Sequence, residues 1–390
     1  MITANVTHSH KIVKLIRTST VPGALNTFCR GLLRDLLEKE GYEVVAVSSP
    51  GDALYKIEQR EDVRTIAVPM QRRISPLKDI VSLCRLIKIF RREKPDIVHS
   101  ITPKAGLLSM MAALICRVPV RLHTFTGLVF PTETGLKQKI LILTDRITCA
   151  CATHIVPEGK GVKNDLINYR ITKKPLKVLG YGNIKGIDLE RFDPELADVK
   201  SEASRIRKEG VFTFIFIGRL VREKGINELV EAFKRLNAQY PDTRLLLVGK
   251  YEQAIDPLKP ETIAEIDSDP AIEAVGSQSD VRPWLLASDA LVFPSYREGF
   301  PNVVIEAGAM GLPSIVTDIN GSREIITDGE NGIIIPPRQS DSLQRAMEIF
   351  ITDKSMVNRL SAKARPMIAS RFEQSFVRRC LKEYYKEIRT

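Results

Sequence analysis

The chain has 390 residues, 44% of them apolar, which is enough to bury the cores of two domains. Its net charge of +11 is concentrated in the first half, because residues 1–200 carry 32 Lys and Arg against 20 Asp and Glu. Six cysteines without a Cys-x-x-Cys pair argue against a zinc site or a disulfide framework, and no basic tract with interleaved aromatics indicates nucleic-acid binding. No apolar run has the length of a signal peptide or a membrane span, so we expect a cytoplasmic protein.

Short β-type runs alternate with segments of helical period along the whole chain, the pattern of parallel sheets covered by helices on both faces. In the first half the predicted strands are residues 11–18, 42–49, 96–101, 119–125 and 154–158, and the predicted helices include residues 26–39 and 78–93. After the Gly- and Asp-containing connection 180–194 the pattern starts again, with predicted strands at residues 212–220, 243–250, 271–276, 289–295, 313–318 and 332–337.

This α/β pattern predicts two doubly wound, Rossmann-like domains that face a central cleft, where the ligands of such sheets usually bind. The predicted domains are residues 1–185 and residues 186–370. A final polar helix over residues 371–390 is expected to pack back toward the N-terminal domain.

Two cations follow the first predicted strand of the second half, in the sequence FIGRLVREKG of residues 216–225. Gly218 ends the strand and allows close approach to the backbone, and Arg219 and Lys224 lie at the mouth of the next helix. Arg offers a fork of donors and Lys a compact charge, which suits a diphosphate. Taken alone, two surface cations near a helix start are the simpler interpretation.

Two carboxylates eight residues apart frame the sequence EGFPNVVIEAGAMGLP. Gly299 and Pro301 prevent one continuous helix, so Glu298 is predicted in a loop and Glu306 in the helix that follows. Because helical side chains lean toward the N-terminus, Glu306 can reach the space that Glu298 faces. The helix N-terminus favours a phosphate there, and the carboxylates accept hydrogen bonds from hydroxyls. A nucleotide sugar carries both kinds of group.

Both segments resemble the signatures of the retaining GT-B glycosyltransferases of family 4, also called glycosyltransferase group 1. Glu298 and Glu306 match the E-x7-E signature, and residues 218–225 match the G-R-x4-K-G signature. The resemblance extends through residues 317–326 and 331–337 and through segments of the first half. It covers nearly the whole chain, and it implies that residues 1–185 bind the acceptor and residues 186–370 the nucleotide sugar.

The resemblance implies that Arg219 and Lys224 hold the donor diphosphate and that Glu306 binds the nucleotide ribose. It also implies that Glu298 orients the donor sugar, together with the residues that follow it: Gly299, Phe300, Pro301 and Asn302. In the family, the departing phosphate accepts the proton of the acceptor on the same face of the sugar. No enzymic nucleophile is then needed.

The first half departs from the family pattern at two places. Many relatives carry a Gly-Gly phosphate loop after the first strand, where residues 19–28 offer only Gly23. Many also place an active-site histidine in a Thr-x-His-Gly segment, where this chain has Thr126. His123 and His99 are the candidates for that role, although a histidine at a strand end is commonly structural.

The sequence Asp267-Ser268-Asp269 is a D-x-D, the divalent-metal motif of the other major glycosyltransferase fold. In that fold it should follow a buried strand, whereas here it follows a helical segment and precedes Pro270. We interpret it as a helix end and turn, and we predict no metal site and no other cofactor.

A basic amphipathic helix is predicted over residues 78–94, with Arg72 and Arg73 before it. This pattern fits a helix that covers a sheet and equally one that faces a membrane. Its apolar stripe consists of Ile80, Leu83, Leu86, Ile87 and Phe90. Its row of cations consists of Arg85, Lys88, Arg91 and Arg92. The resemblance is closest to transferases of polysaccharides and lipid-linked oligosaccharides, whose acceptors are polyprenyl diphosphate sugars. It therefore implies peripheral contact with the anionic inner face of the plasma membrane.

The sequence thus predicts a metal-independent, retaining hexosyltransferase of cell-surface polysaccharide biosynthesis, such as that of capsule or lipopolysaccharide. A UDP-sugar is the predicted donor and a hydroxyl of a lipid-linked glycan the predicted acceptor. Paired carboxylates also occur in glycosidases, but the anion-binding residues beside this pair favour donor binding. Two alternatives stay open: a sugar-nucleotide 2-epimerase of the same fold, and a non-catalytic nucleotide-sugar binding protein.

Overall fold

The computed structural model describes residues 12–72, 75–254 and 256–389, which pack into two compact units. The first unit draws its described residues from Met1–Pro157, Asp165–Lys177 and Cys380–Thr390, and the second comprises Glu158–Asn164 and Val178–Arg379. The chain thus crosses between the units several times. The boundary predicted between residues 185 and 186 stays a prediction.

The first unit is built on a parallel sheet of six strands with helices in the connections. Its strands are β1 (Lys14–Thr18), β2 (Glu43–Ser48), β3 (Arg64–Ala67), β4 (Ile97–Ile101), β5 (Val120–Phe125) and β6 (His154–Pro157). Its helices are α1 (Pro22–Phe28), α2 (Leu32–Glu40), α3 (Asp52–Glu61), α4 (Pro76–Glu93), α5 (Pro103–Ile115) and α6 (Gly135–Cys151). Helix α7 (Lys160–Asn168) begins in the second unit and passes into the first at Asp165. A proline stands in the first turn of α1, α4 and α5, where its missing N–H has no intrahelical partner to lose.

The second unit repeats this construction around another sheet of six parallel strands. Its strands are β7 (Phe212–Ile217), β8 (Thr243–Val248), β9 (Ile272–Gly276), β10 (Ala290–Phe293), β11 (Ser314–Thr317) and β12 (Gly332–Ile335). The helices are α8 (Ala197–Ile206), α9 (Ile226–Asn237), α10 (Pro260–Ser268), α11 (Arg282–Leu286), α12 (Asn302–Ala309), α13 (Ser322–Ile325), α14 (Ser340–Thr352), α15 (Lys354–Phe372) and α16 (Gln374–Glu387), of which α16 passes into the first unit from Cys380 on.

Both sheets start in the middle and reverse direction once. The first has the order β3-β2-β1-β4-β5-β6 and the second β12-β11-β10-β7-β8-β9. In the second sheet the chain moves outward from β7 to β9 and then returns to β10 on the other side of β7. In such sheets ligands bind beyond the carboxyl ends of the strands at this switch point. A ligand site is therefore expected in the segments that follow β7 and β10.

The sequence-based fold class is confirmed, with two local corrections. The first is β3, an edge strand of four partly exposed residues that the sequence pattern did not predict. The second is the helix predicted over residues 26–39, which the structure divides into α1 and α2. Gly31 separates them because its φ of 70° lies in the left-handed region that interrupts a helix.

Candidate active site

The turn after β7 is brought against the end of β10 by Gly225. Its φ is 73°, and a Cβ at this position would lie 2.2 Å from the carbonyl oxygen of Pro294. Only glycine permits this approach, which explains the last residue of the G-R-x4-K-G signature. The short 3₁₀ turn Arg222–Lys224 precedes it, so Lys224 is carried to the segment that follows β10.

Lys224 and Glu298 form an ion pair at this place. The Lys224 ammonium contacts Oε1 of Glu298, and Ser295 Oγ donates a hydrogen bond of 2.9 Å to the same oxygen. Both charged side chains are largely buried, and the ammonium also lies 5.6 Å from the ring centroid of Phe293. Because the partners that the structure gives Glu298 lie on one oxygen, the second oxygen is suited to accept from a hydroxyl.

Arg219 is held by two carboxylates of the same unit. Its guanidinium lies 3.0 Å from Glu252 and 2.8 Å from Glu223, while Glu223 also pairs with Arg297 at 2.9 Å. Burial alone would raise the pKa of Glu223, but the hydrogen bond and the charge of Arg297 hold it below the usual value. Cations and carboxylates thus alternate from Arg219 to Arg297, and an anion at Arg219 would compete with Glu252.

Glu306 lies in α12 and has a lysine partner of its own, since Lys185 Nζ approaches its Oε1 to 2.8 Å. Pro301 precedes the helix, so Glu298 is in a loop and Glu306 in the helix, as the sequence predicts.

The turn between Glu298 and Glu306 is held in place by contacts with other parts of the second unit. Phe300 is buried and packs edge-on against Phe372, and Asn302 accepts a hydrogen bond of 3.0 Å from Asn183.

The predicted site residues fall into two groups. The second unit contains all the proposed donor contacts except one: Gly218, Arg219, Lys224, Glu298, Gly299, Phe300, Pro301, Asn302 and Glu306. The exception is Gly23, which lies in α1 of the first unit with open space around it. His99 and His123 also belong to the first unit.

His99 is fully buried in a polar network. Its Nδ1 lies 2.6 Å from the Tyr385 hydroxyl and also contacts the Arg17 guanidinium, and its Nε2 lies 2.7 Å from Thr124 Oγ1. Burial and the neighbouring Arg17 charge hold the pKa of His99 well below its ordinary value, so the ring is neutral. With both nitrogens engaged, His99 serves to join α16 to β4 and β5, and its catalytic role stays a prediction.

His123 is buried as well but is less completely bonded. Its Nδ1 lies 2.8 Å from Ser100 Oγ, and burial lowers its pKa to about 3. The ring fits against Gly106, where a Cβ would lie 2.3 Å from the His123 Cε1 atom. A neutral imidazole with one nitrogen fixed by a hydroxyl is a positioned hydrogen-bonding group, and its catalytic role also stays a prediction.

Several charged residues near the candidate site were not predicted from the sequence, and three of them lie outside both signature segments. Lys185 and Glu252 are partners of Glu306 and Arg219, and Glu158 is a buried carboxyl whose pKa is raised by burial and by the nearby charges of Glu324 and Glu298. Each is far in sequence from its partner, and none belongs to a signature. Only the position of Lys185 in the glycine-rich connection 180–194 gave a signal.

Asp267 and Asp269 occupy a helix end, as predicted from the sequence, because α10 ends at Ser268 and Asp269 is its C-terminal cap. Within residues 12–72, 75–254 and 256–389, no group of three or more His, Cys, Asp or Glu side chains is arranged to hold a metal ion.

The basic helix α4 packs Leu86 and Phe90 into the first unit but exposes apolar side chains at its start. Leu77, Ile80 and Val81 are 81%, 57% and 51% exposed. Arg73 lies outside the described residues. No helix in the described part of the chain has both the length and the apolar character that crossing a membrane requires.

Comparison with known proteins identifies the family. Residues 199–367 match the family described as glycosyl transferases group 1, and residues 23–182 match the glycosyl transferase 4-like domain. The chain is 30% identical over 352 residues to the capsular polysaccharide biosynthesis glycosyltransferase CapM of Staphylococcus aureus, covering 90% of this chain and 91% of the relative. The protein belongs to glycosyltransferase group 1.

Two further comparisons describe this group 1 glycosyltransferase. An Escherichia coli relative, UDP-Gal:alpha-D-GlcNAc-diphosphoundecaprenol alpha-1,3-galactosyltransferase, is 31% identical over 318 residues, which cover 80% of this chain and 81% of the relative. The crystal structure of Anabaena Alr3699/HepE in complex with UDP superposes with a TM-score of 0.79 at 16% identity, covering 96% of this chain and 100% of that chain. The fold is that of the GT-B glycosyltransferases, with two Rossmann-like domains.

Proposed function

We propose that this glycosyltransferase moves a sugar from a UDP-sugar to a hydroxyl of a lipid-linked glycan, with retention of configuration and without a metal ion. The reaction would extend a cell-surface polysaccharide, such as capsule or lipopolysaccharide, at the inner face of the plasma membrane. The donor would bind to the second unit beyond the ends of β7 and β10.

The observation that carries this proposal is the pairing of both signature carboxylates with lysines at one sheet edge. Lys224 contacts Glu298, and Lys185 lies 2.8 Å from Glu306. Cations, which suit a diphosphate, are thereby paired with carboxylates, which accept hydrogen bonds from hydroxyls, and this supports a nucleotide-sugar site.

The names of the relatives support the donor and the acceptor. The E. coli enzyme is named for a UDP-galactose donor and a diphosphoundecaprenol-linked acceptor, and the Anabaena protein was crystallised with UDP. CapM is named for capsular polysaccharide biosynthesis. The same chemistry in this chain would place two anionic groups, the donor diphosphate and the acceptor diphosphate, against a protein of net charge +11.

The contacts of Glu298 favour an orienting role over attack on the sugar. A nucleophilic carboxylate must be free to form a covalent bond, as in retaining glycosidases. Here Lys224 and Ser295 hold one oxygen of Glu298 in place. The remaining oxygen can accept a hydrogen bond from a donor-sugar hydroxyl, which leaves the departing phosphate to accept the proton of the acceptor.

The test combines the protein with a panel of UDP-sugars and a polyprenyl diphosphate-linked sugar in detergent, with EDTA present. We expect UDP release that depends on the acceptor, and a product whose new bond has the anomeric configuration of the donor by NMR. Glu298→Gln should lower turnover strongly. A product of unchanged mass formed without acceptor would identify an epimerase, and UDP-sugar binding without turnover a binding protein. Activity that requires added manganese or magnesium would contradict metal independence.

A further inference from the structure

The loop of residues 182–186 contacts the E-x7-E segment through Gly182, Asn183 and Lys185. A Cβ at Gly182 would lie 2.7 Å from the Phe300 ring, so the two segments are in direct contact. One residue further on, Asn183 donates its side-chain hydrogen bond of 3.0 Å to Asn302. The loop is thus fixed to the turn that leads into α12.

Asn183 also fixes the backbone of the loop itself. This buried side chain accepts hydrogen bonds of 2.9 Å from the N–H of Lys185 and 2.6 Å from that of Gly186. The backbone N–H of Asn183 donates a hydrogen bond of 2.8 Å to the backbone carbonyl of Glu158. The Cα of Lys185 is therefore held by bonds on both sides, and the lysine side chain starts from a defined position.

From that position Lys185 reaches Glu306, with 2.8 Å between its Nζ and the Oε1 atom. The side chains are 23% and 15% exposed, so the pair is screened far less than a surface ion pair. A carboxylate this buried costs desolvation free energy unless a cation compensates it. Lys185 supplies that cation and also fixes the direction in which the second carboxylate oxygen points.

We propose that Lys185 is a positioning residue of the donor site, which holds the Glu306 carboxylate ready for the hydroxyls of the nucleotide ribose. The inference rests on the proposed function, because it takes the donor to be a nucleoside diphosphate sugar. With the rotamer of Glu306 already fixed, less conformational entropy is lost when the ribose binds. Lys185 acts through Glu306, and its effect is specific to ligands that carry the two ribose hydroxyls.

The experiment compares Lys185→Met with Lys185→Arg in calorimetric binding of UDP and of 2′,3′-dideoxy-UDP. We expect Lys185→Met to weaken UDP binding by about 10-fold, the effect of one charge-assisted hydrogen bond, and to leave dideoxy-UDP binding nearly unchanged. Lys185→Arg, which keeps the positive charge, should retain most of the UDP affinity of the wild type. In a Glu306→Gln background Lys185→Met should have little further effect, because the two residues act as one unit. Lys363→Met, at an exposed lysine of the same unit paired with Glu330, is the matched control.

Equal weakening of UDP and dideoxy-UDP would overturn the proposal, since Lys185 would then contact the diphosphate or merely support the fold. Unchanged UDP affinity in Lys185→Met would overturn it as well, while the proposed function would stand. If the wild-type protein binds no UDP, the comparison is made with ADP, GDP or CDP and their dideoxy forms, and only the identity of the base is wrong. A protein that binds no nucleoside diphosphate overturns both proposals. Thermal unfolding of each variant shows that the fold is intact.

Discussion

Glu158 is a carboxyl group without solvent access at the end of β6. Its Oε1 has no hydrogen-bond partner among the described residues, while the backbone N–H of Ile184 bonds to the carboxyl group. Burial above all, together with the nearby charges of Glu324 and Glu298, raises its pKa to about 8 against the lowering effect of that hydrogen bond. At neutral pH this residue is therefore a neutral acid beside the candidate donor site.

The raised pKa predicts a stability that falls with rising pH. Below about pH 4.5 both the folded and the unfolded chain hold the Glu158 proton, so its contribution is fully present there. As the pH rises toward 8 the unfolded chain releases the proton while the folded chain retains it, which favours unfolding by about 1.4 kcal/mol per pH unit. Above pH 8 the loss is complete. Chemical denaturation of the wild type and of Glu158→Gln between pH 5 and pH 9 measures this contribution.

The side chain introduced by Glu158→Gln cannot ionise and still accepts the Ile184 hydrogen bond. The free energy of unfolding of this variant, relative to that of the wild type, should therefore increase with pH within that window. The buried Asp145, whose pKa burial raises to about 7, acts in the same direction in both proteins and cancels in the difference. A free-energy difference that does not change with pH would contradict a protonated Glu158.

His123 gives a second prediction at the residue scale. If it takes the role of the histidine missing from the Thr-x-His-Gly position, His123→Ala should lower turnover by ~10²-fold or more while nucleotide affinity holds. Gly106→Ala should lower turnover too, because its added methyl group would occupy the place of the imidazole ring. Steady-state kinetics with saturating donor, combined with UDP binding, separates the two quantities.

His99→Ala is the comparison for this prediction. Because His99 bonds to Arg17, Thr124 and Tyr385, its removal should lower the unfolding temperature. The turnover of the protein that remains folded should change little. The opposite result, a catalytic loss at His99 with full activity in His123→Ala, would transfer the role to His99.

The turn between β7 and α9 is the element that should bind the diphosphate. Arg219→Ala and Lys224→Ala are each expected to weaken UDP binding by about 1.5 to 3 kcal/mol, the range for hydrogen bonds to charged groups. Glu252→Gln should instead strengthen it, because Glu252 lies 3.0 Å from Arg219 and competes with the ligand. Titration calorimetry measures all three. UDP affinities that match the wild type in both cation variants would refute the diphosphate role.

Sequence patterns predicted those elements whose residues are neighbours in the chain. All six strands of the second unit and five of the first are confirmed, because buried parallel strands are continuous apolar runs. The edge strand β3 was missed, since it is partly exposed and has only four residues. The carboxylates of the E-x7-E segment were found because their spacing is local.

The ion pairs of the site could not be predicted in the same way. Lys185 is 121 residues from Glu306, and Glu252 is 33 residues from Arg219. What joins them is the strand order of the second sheet and the course of the loops at its edge, which a single sequence does not specify. Spacing therefore located the signature residues, and the fold was needed to find the residues that hold them.

At the scale of the whole molecule, the basic excess lies in the first half of the sequence, where α4 exposes Leu77, Ile80 and Val81 beside its cations. Anionic lipids attract such a surface by ~1 kcal/mol per nearby Lys or Arg, and salt screens the attraction. We predict that the purified protein co-sediments with anionic but not with neutral liposomes at low salt. Reversing three exposed cations, Arg72, Lys88 and Arg91, to Glu should abolish this binding and leave UDP affinity unchanged.

The matched control reverses three exposed cations of the second unit, Arg345, Lys354 and Arg359, which changes the net charge equally at another surface. If the attraction is local to α4, this control keeps its liposome binding. If it depends only on net charge, both triple variants lose binding to the same degree. Leu77→Ser with Ile80→Ser should weaken binding even at low salt, because insertion of the apolar side chains adds to the electrostatic attraction. The membrane role would be contradicted if the wild-type protein did not bind anionic liposomes at low salt. It would also be contradicted if the protein used a water-soluble sugar acceptor as well as a lipid-linked one. The basic surface would then be an ordinary solvated surface.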